Sequence, residues 1–362
     1  MSDAFRELLR KVGSGPHTGK NLDRLEAAAA TRMMLLQEAT PAQIGAFMIA
    51  HRIKRPTGEE LAGMLDAYAE LGPQLQPLGS EQTVLVLSSP YDGRSRTAPI
   101  SPLTALIVAA AGYPVIMHGG DRMPTKQGLP LVEVWQGLGI DWTRLTLEQV
   151  QQVLATTQLG FVYLPQHFPQ AHGLVPYRDQ IGKRPPFATL ELLWGPYAGS
   201  ANIVSGFVHP PTEVMLQDAF QLRGFPACFT TVKGLEGSCD LPRDRTAIIG
   251  LGQGGVDFSL ERLLLAPRDY DFAGIDVPLG ETTQLIAEMQ AVLQGDRSEL
   301  ERSAIWNGGF YLWRCGACAD LATGLTRAEA LLTQGQAAAQ LQKVQQAIAG
   351  LASDLQDHAF AG

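Results

Sequence analysis

The sequence predicts an α/β protein, with a small N-terminal helical domain followed by a mostly parallel sheet flanked by helices. Up to about Glu70 the apolar residues recur at helical spacing, and breaks at Leu71–Pro73 and Gln76–Ser80 end that pattern. Short β-rich apolar runs then alternate with helical stretches, which favours a parallel sheet covered on both faces. We therefore predict a helical domain over residues 1–75 and an α/β domain over residues 80–362.

The helical domain contains two helix starts of the same design. Thr40 is placed to cap a helix with Pro41 at its first position, and Gln43 can reach back to complete a capping box. Thr57 and Glu60 repeat this arrangement. The side chains that follow the first cap at helical spacing are Ile44, Phe47, Met48 and His51. They predict one buried face on an amphipathic helix.

Six apolar runs are predicted as strands of the α/β domain. They are Thr83–Leu87, Pro114–Met117, Gly160–Leu164, Ile203–Val208, Cys228–Val232 and Ala247–Gly250. The helices predicted between them include Pro102–Ala111, Val132–Leu138 and Leu147–Thr156. Thr146 and Gln149 form a further capping pair before the last of these helices. The chain from Glu281 onward is also predicted to be helical.

The composition is that of a globular protein, with 45% hydrophobic and 18% charged residues among 362. A net charge of -8 argues against a basic nucleic-acid-binding surface overall, although a local basic groove stays open. The first residues lack the apolar segment of a signal peptide, and the apolar run Leu103–Met117 is interrupted and too short to span a bilayer. We therefore expect a cytoplasmic protein with no membrane partner.

The four cysteines are Cys228, Cys239, Cys315 and Cys318. Cys315 and Cys318 have the spacing of a redox or zinc half-site, but no second half-site accompanies them in the sequence. Their apolar surroundings predict a buried helix, so we expect core residues and assign them no chemistry.

The loops after the strands are the candidate site, because ligands of such sheets bind beyond the carboxyl ends of the strands. The loop after the first strand contains Asp92, Gly93, Arg94 and Arg96, and the next helix opens with Ser101 as a predicted cap before a proline. A helix N-terminus that faces two arginines is a suitable anion site. An ordinary polar loop with exposed arginines fits this stretch equally well.

The loops after the next two strands are also basic. The second strand ends in His118, Gly119, Arg122 and Lys126, for which a phosphate or carboxylate site is the better interpretation. The third strand leads to further cations, which are Arg178, Lys183 and Arg184. Because one strand end after another carries Arg, Lys or His in an acidic protein, an anionic ligand is the simplest explanation. Phosphate groups suit both arginine forks and helix termini.

Two carboxylates follow the fifth strand, in the stretch Lys233–Asp240. Glu236 and Asp240 are candidate ligands of a hydrated Mg²⁺ ion. Lone carboxylates in a glycine-rich loop more often cap backbone groups or stay solvated, so the metal interpretation is the minority one.

A resemblance to a known family covers most of the chain. It rests on Gly19–Leu22, the dense stretch Glu38–Gly63, Ala109–Gly112, His118-Gly119, Leu138-Gly139, Pro176–Arg178 with Gly182 and Arg184, and Trp306–Gly309. These residues resemble the anthranilate phosphoribosyltransferase family, glycosyltransferase family 3. The resemblance implies a nucleoside phosphorylase/phosphoribosyltransferase-like fold and a homodimer through the N-terminal helices, with a helical segment near residues 166–195 added to the helical domain. It also implies transfer of a phosphoribosyl group from phosphoribosyl pyrophosphate (PRPP) to the amino group of anthranilate, with Mg²⁺ on the pyrophosphate.

Several positions depart from the family pattern. The family's diphosphate loop Gly-Thr-Gly-Gly-Asp falls on Ser88–Asp92, where only the aspartate matches and Pro90 lacks an amide donor. The family's Asn-Ile-Ser-Thr becomes Pro99–Pro102, and its Asp-Glu metal pair falls on Cys239 and Asp240. The PRPP and metal motifs are therefore altered, which counts against ordinary anthranilate turnover.

Other positions match the family. Arg178 corresponds to the arginine that meets the anthranilate carboxylate, and His118 and Gly119 correspond to the loop at the acceptor and ribose end. A kept scaffold with altered ligand motifs resembles a divergent branch, the anthranilate phosphoribosyltransferase-like proteins. Some members of that branch are thought to bind nucleic acid through a basic groove.

Three functions stay open from the sequence. The first is a phosphoribosyltransferase, or related pentosyltransferase, that acts on an aromatic amine or a related acceptor. The second is a non-catalytic nucleic-acid-binding dimer whose phosphate backbone contacts are Arg94, Arg96, Arg122, Lys126, Lys183 and Arg184. The third is a protein that binds a metabolite without reacting it. We place the transferase first.

Overall fold

The computed structural model describes residues 3–15, 17–79, 82–224, 226, 228–254 and 258–360, and only the backbone over 352–360. Within these residues the N-terminal domain is formed by the helices α1 (Asp3–Gly13), α2 (Arg24–Leu35), α3 (Pro41–Lys54) and α4 (Gly58–Leu71). Both predicted capping boxes are confirmed, one at Thr40 and Gln43 and the other at Thr57 and Glu60. The predicted face of α3 is buried as expected.

A sheet of seven strands forms the centre of the α/β domain over the described residues. The strands are β1 (Val84–Leu87), β2 (Val115–Gly119), β3 (Leu159–Tyr163), β4 (Ala201–Gly206), β5 (Cys228–Val232), β6 (Ala247–Gln253) and β7 (Ser259–Leu265). Their order is β3-β2-β1-β4-β5-β6-β7. The strands β1 to β5 are parallel, and β6 and β7 join antiparallel. The prediction of a mostly parallel sheet is confirmed, with small shifts at the ends of the six predicted strands.

The edge strand β7 is absent from the sequence prediction. Glu261 and Arg262 interrupt its apolar residues, and most of its side chains are at least partly exposed. A strand whose side chains are largely exposed does not need the continuous apolar run by which the other strands, including the buried edge strand β3, are identified.

Helices cover both faces of the sheet. They are α5 (Ser101–Ala110), α6 (Leu131–Gly137), α7 (Leu147–Thr157), α8 (Leu164–His167), α9 (Pro169–His172), α10 (Val175–Gln180), α11 (Phe187–Leu190), α12 (Pro210–Arg223), α13 (Thr282–Leu293), α14 (Glu299–Arg314), α15 (Leu321–Thr333) and α16 (Gln336–Phe360). The capping pair Thr146 and Gln149 before α7 and the helical C-terminal part are confirmed. In the part of the chain that the structure describes, no helix is both long and apolar enough to cross a membrane.

The predicted cap of α5 is wrong. Ser101 is the first residue of the helix, and the cap position belongs to Ile100, whose amide donates to the Asp240 carboxylate at 3.0 Å. A side-chain cap is less needed here because Asp240 takes that amide and Pro102 has no N–H to satisfy. The Ser101 hydroxyl is buried and has no hydrogen-bond partner among the described residues.

The prediction that Cys315 and Cys318 lie in a buried helix is also wrong. They lie in the connection between α14 and α15, where both are half-buried against the core as free thiols. The helix α14 ends at Arg314 because Gly316, with a φ of 82°, takes a left-handed conformation that ends a helix.

The segment predicted near residues 166–195 contains α9, α10 and α11 and packs against the N-terminal helices. The Tyr68 ring of α4 meets the rings of Phe168, Phe187 and Trp194, with the Phe168 centroid 5.0 Å away. These contacts place the helical domain over the carboxyl edge of the sheet, where ligands of such sheets bind.

Gly58 begins α4 where this helix meets α12, and the contact leaves no room for a side chain. A Cβ atom at Gly58 would lie 2.2 Å from Cβ of Asp218. We expect Gly58→Ala to lower the free energy of unfolding by about 1–3 kcal/mol through overpacking, measured by urea unfolding.

Gly45→Ala is the matched control, because the nearest atom to a Cβ at Gly45 would be Ile181 Cγ2 at 3.8 Å. Replacing this helical glycine should preserve or raise stability by up to about 1 kcal/mol. Equal stability of the two variants would contradict the close packing.

Candidate active site

The candidate site lies at the carboxyl edge of the sheet, at the point where the strand order reverses. β1 lies between β2 and β4, so the chain leaves the sheet in opposite directions on the two sides of β1. Such a reversal leaves a crevice that binds ligands in open α/β sheets. The loop after β1 and the loop after β5 meet in this region through Thr97 and Glu236.

Glu236 is at the centre of the contacts between these loops. Its carboxylate accepts the backbone amides of Arg96 and Thr97, both at 2.9 Å, and the Ser95 amide at 3.3 Å. Lys126, from the loop after β2, donates to the same carboxylate at 2.5 Å. Glu236 has a φ of 53°, a left-handed conformation that a non-glycine residue keeps only when its surroundings hold it. One carboxylate therefore ties three strand-end loops together.

Arg94 lies beside Glu236 and is buried. Its Nη1 donates to Ser238 Oγ at 2.6 Å and to Asp240 Oδ2 at 2.8 Å, and its Nε lies 3.4 Å from Glu236 Oε1. The guanidinium that the sequence predicts as an anion ligand is thus directed into the protein, where carboxylates neutralise it.

Gly93 allows this placement of Arg94. Its φ is 77°, and a Cβ at Gly93 would lie 2.5 Å from the carbonyl carbon of Gly128. The next amide, that of Arg94, donates to the Leu129 carbonyl at 3.0 Å. The loops after β1 and β2 therefore touch backbone to backbone, which only a glycine permits at this point.

Burial and neighbouring positive charge shift the pKa values of Glu236 and Asp240 in opposite directions. Burial raises the pKa of Glu236, but the hydrogen bonds from Lys126, Arg96 and Thr97 outweigh it and hold this pKa well below its usual range. Burial also raises the pKa of Asp240, and the charge of Arg94 only partly offsets that effect. Glu236 is therefore an ionised acceptor that its neighbours hold in place.

The two predicted metal ligands do not fit a Mg²⁺ ion. Glu236 and Asp240 both contact Arg94, and backbone amides and Lys126 take further oxygen positions of Glu236. A hydrated Mg²⁺ needs free carboxylate oxygens in a near-octahedral arrangement, and the cations already present repel another positive charge. Over the described residues, no group of three His, Cys, Asp or Glu side chains is arranged to hold a metal ion.

His118 and Gly119 are buried at the end of β2. The Nδ1 atom of His118 lies 2.5 Å from the Tyr91 hydroxyl. Burial lowers the pKa of His118 to about 3, so the imidazole is neutral at physiological pH. A neutral, enclosed imidazole supplies no positive charge to a phosphate, in contrast to the cationic character predicted for this loop.

Arg178 forms a buried ion pair with Glu191. Its Nη1 donates to Glu191 Oε1 at 2.8 Å and to Met123 Sδ at 3.1 Å. Arg178 Nε, Arg178 Nη2 and Glu191 Oε2 have no hydrogen-bond partner within the described chain. Burial raises the pKa of Glu191, and the charge of Arg178 only partly opposes this. Within the described residues the pair therefore has both donors and an acceptor that are not used.

The Arg178–Glu191 pair lines a cavity between the two domains. The cavity volume is about 20 Å³, which is room for about one water molecule. Other side chains that line it include Met48, Tyr68, Tyr91 and Met123. A larger ligand therefore requires lining side chains to move, and the methionines are the most adaptable of them.

Most of the predicted cations are neutralised by carboxylates of the same chain. The pairs are Arg94 with Asp240, Lys126 with Glu236, Arg122 with Glu133, Arg178 with Glu191 and Arg184 with Asp92. Arg96 is 78% exposed at 3.8 Å from Glu236, and Lys183 is exposed. A groove that follows a nucleic-acid backbone needs cations that phosphates can reach, so this pairing does not favour the nucleic-acid hypothesis.

Sequence reasoning left out Glu191 and Tyr91 as site residues. Glu191 is the only charged residue in the apolar stretch Phe187–Trp194, and a lone charge in such a stretch indicates a buried counter-ion. That signal was available in the sequence. The contact of Tyr91 with His118 joins two strand ends, and no local pattern indicates it.

A helical bundle over the carboxyl edge of a mostly parallel sheet, with a small and mainly apolar cavity between the two, defines a two-domain α/β fold. Solved structures share this fold. The structure of anthranilate phosphoribosyltransferase from Saccharomyces cerevisiae in complex with PRPP and Mg has a TM-score of 0.80 at 16% identity, covering 96% of this chain and 99% of that one. The enzyme of that name from Thermus thermophilus has a TM-score of 0.77 at 20% identity, with coverage of 96% and 99%.

The chain belongs to the glycosyl transferase family that comprises a helical bundle domain and an a/b domain. The helical bundle domain matches residues 6–72, and the a/b domain matches residues 92–338. Anthranilate phosphoribosyltransferase of Afipia carboxidovorans is 31% identical over 94% of this chain and 97% of the relative. The relative of that name in Azorhizobium caulinodans is 29% identical over 97% of this chain and 98% of its own length. The predicted family and fold class are confirmed.

Proposed function

We propose that this chain transfers a phosphoribosyl group from an anionic donor of the PRPP type to the nitrogen of a planar amine. The curated relatives are anthranilate phosphoribosyltransferases. The observation that carries the proposal is the Arg178–Glu191 pair, which lines the interdomain cavity and has buried nitrogen and oxygen atoms without a hydrogen-bond partner in the described chain. Guanidinium N–H groups suit an acceptor carboxylate, and a free carboxylate oxygen suits the neighbouring amine.

The proposed reaction needs positioning and the removal of one proton. The bond between the anomeric carbon of ribose and the diphosphate oxygen breaks, and a bond to the acceptor nitrogen forms. Diphosphate leaves with the bonding electrons, and the nitrogen loses a proton. Arg178 orients the acceptor, and Glu191 takes the proton at Oε2. Because burial raises the pKa of Glu191, its proton affinity is closer to that of an effective base at neutral pH.

The donor end of the proposed site differs from the family pattern. Pro90 lacks an amide, and the Glu236 carboxylate occupies the amides of Arg96 and Thr97. A phosphorylated donor must therefore compete with a carboxylate of the protein, and we expect slow turnover with anthranilate itself. We assign Mg²⁺ no role at Glu236 and Asp240.

A homodimer through the N-terminal helices is part of this proposal. Leu25 on α2 is 82% exposed and Ile53 on α3 is 72% exposed. Large apolar side chains at this exposure are suited to burial against a second copy of the chain.

The proposal is tested by incubating the protein with PRPP and a panel of planar ring amines that includes anthranilate, with and without Mg²⁺. The readouts are diphosphate release and the mass of the ribosylated product. We expect acceptor-dependent diphosphate release with at least one amine. Arg178→Met, which keeps an unbranched side chain but removes the charge and the N–H donors, should lose this release. Absence of release with every acceptor, together with no PRPP binding, would reject the transferase.

A further inference from the structure

The Glu236 carboxylate occupies a cradle that has the features of an oxyanion site. The consecutive amides of Ser95, Arg96 and Thr97 converge on it at 3.3, 2.9 and 2.9 Å. The hydroxyls of Ser95 and Thr97 add contacts at 3.2 and 3.1 Å. Successive backbone amides that point to one spot form nests that bind phosphate and other anions. The anion held in this nest belongs to the protein itself.

Positive charges complete the cradle. Lys126 Nζ lies 2.5 Å from the carboxylate, Arg94 Nε lies at 3.4 Å, and Arg96 Nε lies at 3.8 Å. Arg94 has Asp240 as a second partner at 2.8 Å, but Lys126 and Arg96 have no other carboxylate partner within the described residues. A phosphate has more negative charge and more acceptor oxygens than a carboxylate, so these donors suit a phosphate at least as well.

We infer that Ser95–Thr97, Arg94 and Lys126 form a phosphate-binding site that the Glu236 carboxylate occupies in this structure. Phosphate and the Glu236 carboxylate compete for the same donors. The inference rests on the proposed function only for the source of the phosphate, which would be the phosphorylated donor. The phosphate replaces the carboxylate in the nest, and this exchange releases the contact that ties the three loops.

Titration of the full chain with inorganic pyrophosphate in a calorimeter tests the inference. Glu236→Ala should bind pyrophosphate at least about tenfold more tightly than the unaltered protein, since the competing anion is gone. Its binding should weaken as salt is added. Glu133→Ala is the matched control because it removes the carboxylate partner of Arg122 at 2.7 Å without opening an amide nest. We expect no tighter binding in this control.

Two outcomes of the pyrophosphate titration would overturn the inference. One is equal binding by Glu236→Ala and the unaltered protein. The other is an equal gain in Glu133→Ala, which would show an effect of net charge alone. If circular dichroism shows that Glu236→Ala does not fold, Glu236→Gln replaces it, because this variant keeps the size of the side chain and removes its charge. Glu236→Gln should also bind pyrophosphate more tightly than the unaltered protein.

Titration of the unaltered protein with Mn²⁺ provides a separate test. Saturable Mn²⁺ binding that Glu236→Gln abolishes would identify a metal site and overturn the inference, and absence of such binding is the expected result. None of these measurements uses turnover. A failure of phosphoribosyl transfer therefore leaves the phosphate site standing, and a failure of the phosphate site leaves the transferase to be judged by diphosphate release.

Discussion

Replacing Glu60 with glutamine is expected to lower the free energy of unfolding by about 3 kcal/mol, because donors surround its fully buried carboxylate. The Leu22 amide donates at 2.9 Å, the Thr57 amide at 2.8 Å and Lys54 Nζ at 2.7 Å, and His51 Nε2 lies 3.3 Å away. A glutamine side chain has a single acceptor oxygen, so its NH₂ group would face one of these donors. An unmatched buried polar group is costly.

The same substitution should change the response of stability to acid. Burial raises the pKa of Glu60, but His51, Lys54 and the Leu22 amide outweigh it and lower this pKa from the usual 4.5 to about 2. Because the folded pKa lies below the unfolded one, the stabilisation is present above pH 4.5 and is lost as pH falls toward 2. The difference in stability between the unaltered protein and Glu60→Gln should therefore shrink across that window.

Urea unfolding at a series of pH values measures both effects of Glu60. Glu7→Gln is the control, because Glu7 pairs with Arg10 on the surface and its side chain is 66% exposed. This control should change stability by no more than about 0.5 kcal/mol. An equal loss in the two variants, or a Glu60 effect that does not change with pH, would contradict the buried network.

The local part of this network was predictable from the sequence, and the long-range part was not. Thr57 and Glu60 are three residues apart, so the capping box follows from the spacing of a helix start. The bond from Glu60 to the Leu22 amide joins residues separated by 38 positions. Such a contact depends on how helices pack, and nothing in the local pattern specifies it.

At the candidate site, too, the local features were predictable from the sequence and the long-range contacts were not. The sequence shows that Arg94, Lys126 and Arg178 follow strand ends, because strand ends can be located from apolar runs. It does not show that Arg94 meets Asp240, 146 positions further along the chain. A basic strand end predicts an anion, but only the fold determines whether that anion is a ligand or a carboxylate of the protein. This is why the predicted phosphate ligands are found in internal ion pairs.

Replacing Glu191 with glutamine is expected to lower kcat of the proposed transfer by about 100-fold, the usual contribution of a positioned general base. The neutral side chain keeps its size beside Arg178 but cannot accept the proton of the acceptor nitrogen. Because Arg178 still orients the acceptor, KM for the acceptor should change much less. Steady-state measurements of diphosphate release with the best acceptor of the panel separate the two parameters.

The pH profile distinguishes a base from a residue that only supports Arg178. Burial raises the pKa of Glu191, with Arg178 and Arg184 opposing this and Asp92 adding to it. The carboxylate form is the base, so the rate should fall as pH drops through this raised pKa, at a higher pH than an ordinary carboxyl group would give. This fall in rate, the acidic limb of the pH–rate profile, should be absent in Glu191→Gln. A limb that persists unchanged in the variant would exclude Glu191 as the proton acceptor.

Glu213→Gln is the matched control for Glu191, since it also alters a buried carboxylate paired with an arginine. Glu213, on α12, accepts from Arg262 and from Thr231, both at 2.7 Å. Its substitution should cost stability by breaking a buried pair while kcat of the folded protein and the pH limb stay unchanged. If Glu213→Gln lowers kcat as strongly as Glu191→Gln, the loss comes from general destabilisation, and the Arg178–Glu191 pair has no special part in the reaction.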